Sequence, residues 1–128
     1  MQEYWDIYDI NRNKTGRTMK RNDWHMKEGD YYISVLGVVR RSDGKFLITQ
    51  RVMTKEWAPG WWEIPGGAVK AGESSLEAVI REVREETGFI SDKEPILLGE
   101  FMVNPATQNN KVTTFLLLDA IKEFEQDL

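Results

Sequence analysis

The chain has 128 residues, a formal net charge of -4 and no cysteine. This length suits one domain with its own core, and the acidic balance argues against broad binding of nucleic acid or anionic membranes. Without cysteine a disulfide framework is excluded, and no segment resembles a signal peptide or membrane span. We expect a single cytoplasmic domain over residues 1–128, with an N-terminal extension at 1–28 and a core at 29–128.

The first residues of the chain predict a leading β-hairpin. Its turn falls between Asn11 and Gly16, where polar residues and glycine cluster. Its first arm carries five apolar or aromatic residues, namely Tyr4, Trp5, Ile7, Tyr8 and Ile10.

Two further strands are predicted next, at Tyr31 to Arg41 and Lys45 to Arg51, with Asp43-Gly44 as the turn between them. Apolar side chains occur at both odd and even positions of the first strand, so we expect the sheet to be covered on both faces. These residues are Ile33, Val35, Leu36, Val38 and Val39.

A helix from Ser75 to Thr87 is predicted by local chemistry. Ser74 followed by Glu77 forms a capping box, and Gly88 stands where a left-handed cap is expected. At helical spacing one stripe is apolar and should face the core. It consists of Leu76, Val79, Ile80 and Val83.

The same helix carries three carboxylates, Glu82, Glu85 and Glu86, on a neighbouring face, with Arg81 one turn before Glu85. Clustered like charges destabilise a helix unless a cation lies among them. Carboxylate oxygens are ligands for Mg²⁺, although an isolated acidic stretch is more often a solvated surface.

After this helix, strands are predicted at Ile96 to Val103 and at Val112 to Ile121. The polar loop between them, residues 104–110, is long enough to reach a ligand.

A longer pattern around the helix distinguishes the two interpretations of the acidic face. This pattern consists of Gly67, Glu73, Arg81-Glu82, Glu85-Glu86 and Gly88-Phe89. It fills every fixed position of G-x5-E-x7-R-E-U-x-E-E-x-G-U, where U is bulky and apolar. The segment resembles the Nudix hydrolase family, and so does its lead-in Trp62-Glu63-Ile64-Pro65-Gly66.

The resemblance implies a mixed β-sheet sandwiched by helices, an α/β (α+β) fold, and hydrolysis of a diphosphate bond in a nucleoside diphosphate derivative. It implies Mg²⁺ or Mn²⁺ as cofactor, which would neutralise the diphosphate and activate water. The implied ligands are Glu82, Glu85, Glu86 and the Gly67 carbonyl, with Glu73 as an outer ligand or loop support. Arg81 would orient a glutamate.

Other site residues are less constrained by the motif. Arg51 is a candidate phosphate contact, and Trp57 and Trp61 are candidates for stacking on a base, with packing as the equal alternative for both tryptophans. Glu100, on the strand after the helix, is the candidate general base. A nucleotide-binding module without catalysis is the alternative function.

The N-terminal pattern of Asp9, Asn11, Thr15 and Gly16 resembles Nudix proteins related to isopentenyl-diphosphate isomerase. That isomerase uses a cysteine opposite a glutamate, and this chain has none, so isomerase activity ranks third. Family members typically carry a further strand and helix after the segment corresponding to Val112 to Ile121. We expect the exposed sheet edge to be covered by the hairpin or by a second copy in a homodimer.

Overall fold

The computed structural model describes residues 2–23, 26–103 and 110–127, without the side chain of Val103. Within these residues the chain forms one helix, α1 (Ser75–Thr87), and ten strands. The strands are β1 (Tyr4–Tyr8), β2 (Lys14–Lys20), β3 (Tyr32–Arg41), β4 (Phe46–Leu47), β5 (Thr49–Gln50), β6 (Trp62–Glu63), β7 (Gly66–Ala68), β8 (Phe89–Ile90), β9 (Ile96–Val103) and β10 (Asn110–Lys122). The predicted ligand loop at 104–110 lies outside the described residues, apart from its last member.

Helix α1 has the predicted bounds and the predicted caps. Ser74 Oγ accepts a hydrogen bond of 3.1 Å from the Glu77 amide, and Glu77 Oε1 accepts one of 3.1 Å from the Ser74 amide. Gly88 adopts a left-handed conformation with φ 76°, and its N–H donates to the Arg84 carbonyl. These local bonds satisfy groups that a helix otherwise leaves unpaired at its two ends.

The buried face of α1 differs from the predicted stripe at one residue. Val79 and Val83 are fully buried, as expected, whereas Ile80 is 44% exposed. The prediction for Ile80 was wrong. Successive helical residues are rotated by about 100°, and only a narrow strip of the helix contacts the sheet, so Ile80 lies beyond the edge of that strip. Ala78 and Thr87 complete the buried face instead.

The main sheet is mixed and centres on two long strands. β10 runs parallel to β3, with Thr113 beside Val35, and antiparallel to β9 and β8 on its other side. β4 and β7 pair with the opposite edge of β3. The predicted strand from Lys45 to Arg51 is divided, because β4 belongs to this sheet whereas β5 pairs with β6 in a separate hairpin.

The core lies between α1 and one face of this sheet. Val35 and Val39 of β3, Leu117 of β10 and Val83 of α1 are at most 2% exposed. A Cβ at Gly37 would lie 2.7 Å from Val83, so glycine permits the helix to approach the strand this closely. On the other face Leu36 and Val38 are only half-buried, so cover on both faces is not seen among the described residues.

The predicted N-terminal hairpin is present as β1 and β2. Its turn is held by Asp9, whose Oδ1 accepts bonds of 2.8 and 2.9 Å from the amides of Asn11 and Asn13. Tyr8 and Tyr31 exchange two backbone hydrogen bonds, which join the hairpin to the start of β3. Trp5, Ile7 and Met19 form a small core of its own.

No helix in the described part of the chain has the length and apolar character needed to span a membrane.

Candidate metal site

Helix α1 brings the predicted carboxylates against Gly66 and Gly67 of β7. Glu82 and Glu85 are 14% and 29% exposed. A Cβ at Gly67 would lie 2.4 Å from Glu82 Oε1, so the absence of a side chain at Gly67 leaves the space that this carboxylate occupies. Strand β7 and the helix therefore form a cradle lined by carboxylate oxygen atoms.

Arg81 connects the loop before the helix to this carboxylate face. Its Nε and Nη2 donate to Glu73 at 2.7 and 2.9 Å, and its Nη1 donates to Glu82 at 2.8 Å and to Glu85 at 3.3 Å. A further bond of 3.1 Å reaches the Ala68 carbonyl. Burial acts to raise the pKa of Glu73, but the bonds from Arg81 hold it below its ordinary value. Glu73 thus binds Arg81 as a carboxylate.

Glu86 has an environment that disfavours its charge. Its Oε2 accepts a hydrogen bond of 3.2 Å from the Gly66 amide. Burial, followed by the charge of Glu82 and then a hydrogen bond to it, raises the pKa of Glu86 to about 8. Two carboxyl groups this close cannot both ionise easily without a cation.

The donor set fits a hard divalent cation, although it is not arranged for one as it stands. Among the described residues no three acidic, histidine or cysteine side chains converge in a metal-holding geometry. Glu82 and Glu85 instead form ion pairs with the guanidinium of Arg81. The cradle at Gly67 and the close approach of Glu82 to a Glu86 of raised pKa are nevertheless what carboxylate ligands of Mg²⁺ would present without the ion.

A cleft of about 1200 Å³ opens beside this face. Its lining combines the three carboxylates with side chains from the β5–β6 hairpin and the N-terminal hairpin. Arg51 belongs to this lining, and its Nη1 lies 3.6 Å from Glu63.

Trp57 and Trp61 lie outside the cleft lining. Their ring centroids are 5.8 Å apart, and the Arg51 guanidinium lies 5.4 Å from the Trp57 ring. The two side chains are 68% and 64% exposed. The Trp57 ring therefore lies beside Arg51 outside the cleft, and neither ring lines the cleft as a surface on which a base could stack.

Glu100 also lies apart from the carboxylate face. Its carboxylate is 3.1 Å from Arg12 Nε, and Arg12 also donates to Thr113 Oγ1 at 2.7 Å. Glu100 lines a second, smaller pocket of about 400 Å³. This ion pair fastens the N-terminal hairpin to β9 and β10.

Two residues near the site were missed by sequence reasoning. Glu63 lines the large cleft, and its charge contributes to the raised pKa of Glu86. Its position in the segment just before Pro65 and the motif could have indicated that it lies near the site. Asp6 of the N-terminal hairpin accepts a hydrogen bond of 2.9 Å from the Gly72 amide, next to Glu73, and nothing in the local sequence indicated this contact.

The chain is similar to known proteins of one family. The model of the NUDIX domain family matches residues 30–127. An uncharacterized Nudix hydrolase of Listeria monocytogenes is 33% identical over 91 residues, covering 70% of this chain and 53% of that protein. The nucleoside triphosphatase NudI of Escherichia coli is 35% identical over 83 residues, covering 65% of this chain and 54% of NudI. The chain spans about half the length of these relatives.

The crystal structure of DR0079 from Deinococcus radiodurans is similar over 98% of this chain and 78% of that one, with a TM-score of 0.68 and 25% identity. This similarity confirms the predicted fold class. Nudix hydrolases generally use divalent metal ions. Because the family model covers most of the sequence, this chain belongs to the Nudix family.

Proposed function

We propose that this chain is a divalent-metal-dependent pyrophosphohydrolase that cleaves a diphosphate bond in a nucleoside diphosphate derivative. The observation that carries the proposal is the carboxylate cradle, in which Glu82 and Glu86 face Gly66 and Gly67 of β7 at the edge of a large cleft. NudI, one of the relatives, is a nucleoside triphosphatase, which supports a nucleotide substrate.

The residues proposed to hold Mg²⁺ or Mn²⁺ are Glu82, Glu85, Glu86 and the carbonyl of Gly67. When bound, the metal supplies charge neutralisation for the diphosphate and lowers the pKa of water. Glu73 contributes by holding Arg81, which orients Glu82 and Glu85 through the bonds described above. Because Arg81 is bonded to both of those glutamates, we expect it to release at least one of them when a metal enters.

The cleft suggests how the substrate is held. Arg51 is the proposed phosphate contact, because its guanidinium is a cation in the lining of the cleft and its side chain is only 23% exposed. Glu63 faces the same cleft as the carboxylates, which makes it a better placed candidate for the general base than Glu100. General-base catalysis requires the base within reach of the water that it activates.

A second copy of the chain is proposed to cover β9. This strand pairs only with β10 among the described elements, and it exposes apolar side chains that a monomer leaves in water. They are Ile96, Leu97, Leu98 and Phe101, between 46% and 59% exposed. Light scattering after size exclusion would show a dimer, and a clean monomer would contradict this part of the proposal. The cytoplasmic location stays a prediction.

A substrate panel tests the proposed activity. It contains nucleoside triphosphates, ADP-ribose, NADH, dinucleoside polyphosphates, nucleotide sugars and oxidised dGTP, each with Mg²⁺ or Mn²⁺ and with EDTA. Glu85→Gln should abolish turnover, and Glu94→Gln, which changes an exposed carboxylate outside the cleft lining, should not. Metal-dependent binding without turnover of any compound would favour the alternative, a nucleotide-binding module.

A further inference from the structure

The N-terminal hairpin contacts the loop that leads into Glu73. The Ala71 amide donates to the Tyr4 carbonyl at 2.8 Å, and the Gly72 amide donates to Asp6 Oδ2 at 2.9 Å. The first bond is between backbone atoms and forms with most side chains at position 4. The second depends on the carboxylate of Asp6, so the side chain at that position determines whether the loop is held there.

The geometry at Asp6 is that of a formed anchor. Its side chain is 14% exposed, and Lys14 Nζ lies 3.3 Å from the oxygen that accepts from Gly72. Gly72 has φ 82°, a conformation that side chains other than glycine rarely adopt. A bond from a backbone amide to a carboxylate is charge-assisted, and such bonds are shorter and stronger than neutral ones.

The anchored loop continues directly into the carboxylate face. Glu73 folds back so that its Oε1 accepts from the Lys70 amide at 3.1 Å, and both of its oxygens accept from Arg81. Arg81 in turn bonds Glu82 and Glu85. Hydrogen bonds therefore lead from Asp6 to Gly72, and from the adjoining Glu73 through Arg81 to the proposed metal ligands.

We propose that Asp6 is a positioning residue for the metal site. Its hydrogen bond from the Gly72 amide fixes the position of the adjoining Glu73. Glu73 in turn orients Arg81, and Arg81 orients Glu82 and Glu85. Asp6 touches neither metal nor substrate in this arrangement. The inference rests on the proposed function, because it assigns the N-terminal hairpin a role at the metal site of that function.

Binding of Mn²⁺ alone, followed by the electron paramagnetic resonance signal of the free ion, tests this role without substrate. Asp6→Ala should raise the Mn²⁺ dissociation constant by roughly 3- to 10-fold, which is less than the roughly 10- to 100-fold typical of residues bonded directly to metal ligands, because Asp6 acts through Glu73 and Arg81. Asp6→Asn keeps an acceptor oxygen and should stay within about 2-fold of wild type. With a hydrolysed substrate, the Mg²⁺ concentration for half activation should rise by the same factor at nearly unchanged kcat.

Two control variants separate positioning from general damage to the hairpin. Asp9→Ala removes the acceptor that holds the hairpin turn but has no contact with the Gly72 loop, so Mn²⁺ affinity should be unchanged. Lys14→Ala removes the ion pair and leaves the bond from Gly72 to Asp6 in place. Its Mn²⁺ affinity should also be that of wild type. If Asp6→Ala does not fold, Asp6→Ser, whose side chain is too short to reach Gly72, takes its place.

The outcomes distinguish this inference from the proposed function. Wild-type binding of Mn²⁺ with equal affinity in Asp6→Ala, or an equal loss in Asp9→Ala, would overturn the role of Asp6 and leave the metal site standing. A wild-type chain that binds no Mn²⁺ would overturn both. A selective loss in Asp6→Ala that Asp6→Asn restores is the expected result.

Discussion

Arg81 and Glu73 form a two-point ion pair, with Nε and Nη2 donating at 2.7 and 2.9 Å to the two oxygens of one carboxylate. Each side chain is 15% exposed. The pair spans from the loop before α1 to the middle of the helix, so it supports the fold as well as the site. Such paired geometry requires the planar guanidinium, and lysine cannot reproduce it.

Glu73→Gln is therefore expected to destabilise the metal-free protein by about 2 kcal/mol, because the charge-assisted two-point pairing with Arg81 is lost and only Glu82 and Glu85 still pair with that guanidinium. Urea denaturation in EDTA measures the change. Glu94→Gln, at an exposed position, serves as control and should be neutral. Equal stability of the two variants would show that the ion pair contributes nothing to the fold.

Gly67→Ala should weaken metal binding while the fold persists. The new Cβ would lie 2.4 Å from Glu82 Oε1, which belongs to a flexible side chain that can move away. Displacing a ligand should raise the Mn²⁺ dissociation constant by about 10-fold or more. Gly66→Ala is the contrasting variant, since its Cβ would lie 2.2 Å from the backbone oxygen of Val35, and it should instead lose stability. Unchanged Mn²⁺ binding in Gly67→Ala would contradict the placement of Glu82 at the metal.

The affinity for the metal should increase as the pH rises toward 8. Burial and the charge of Glu82 raise the pKa of Glu86 to about 8, so an entering cation must displace a proton at neutral pH. Calorimetry in buffers of different ionisation enthalpy should detect this released proton. Glu86→Gln carries no such proton, so its proton release on binding should be lower than that of wild type.

The same raised pKa has a consequence for stability without metal. Because the pKa of Glu86 in the folded chain lies above the ordinary 4.5, ionising this carboxyl opposes folding. Its contribution is most favourable below pH 4.5 and is lost as the pH rises to about 8. Melting temperatures measured in EDTA across this range should fall less in Glu86→Gln than in wild type. Parallel profiles would show that Glu86 is not held protonated.

Glu63→Gln should lower kcat by about 100-fold if Glu63 is the general base. Glu100→Gln should leave kcat within about 3-fold of wild type, because Glu100 pairs with Arg12 and lines a different pocket. Loss of this surface ion pair should also change the stability of the fold little. Steady-state kinetics at saturating Mg²⁺ compares the two variants. The reverse order of effects would restore Glu100 as the candidate base.

Arg51→Ala should raise KM for a diphosphate substrate by about 10-fold or more, as expected for loss of a charged hydrogen bond. Trp57→Ala removes the ring beside Arg51 but no residue of the cleft lining, so KM should rise much less. Kinetics with the substrate identified by the panel decides between them. A larger effect of the tryptophan would indicate that its loop closes over the bound nucleotide.

The features that could be predicted were those fixed by neighbouring residues. The caps of α1 depend on contacts within three or four positions, so Ser74, Glu77 and Gly88 indicated both ends of the helix. The carboxylate face followed from helical spacing alone, and in the structure Glu82 of this face lies against Gly67 of β7.

Contacts between distant segments were not accessible in this way. Arg12 and Glu100 are far apart in the sequence, and no local pattern indicates that they form an ion pair. The exposure of Trp57 depends on how the separate β5–β6 hairpin packs against the main sheet. The short strands β6 to β8 are only two or three residues long, too short to show an alternating pattern.

The position of β10 inside the main sheet also constrains the order of events during synthesis. β10 inserts between β3 and β9, and it pairs Asn110 with Tyr32, a partner made much earlier. Contacts between such distant positions slow folding, because a long loop must close before they form. Helix α1 therefore leaves the ribosome before the strand that completes its supporting sheet. Until residues 110–122 have been synthesised, the nascent chain carries its acidic helix without a finished core.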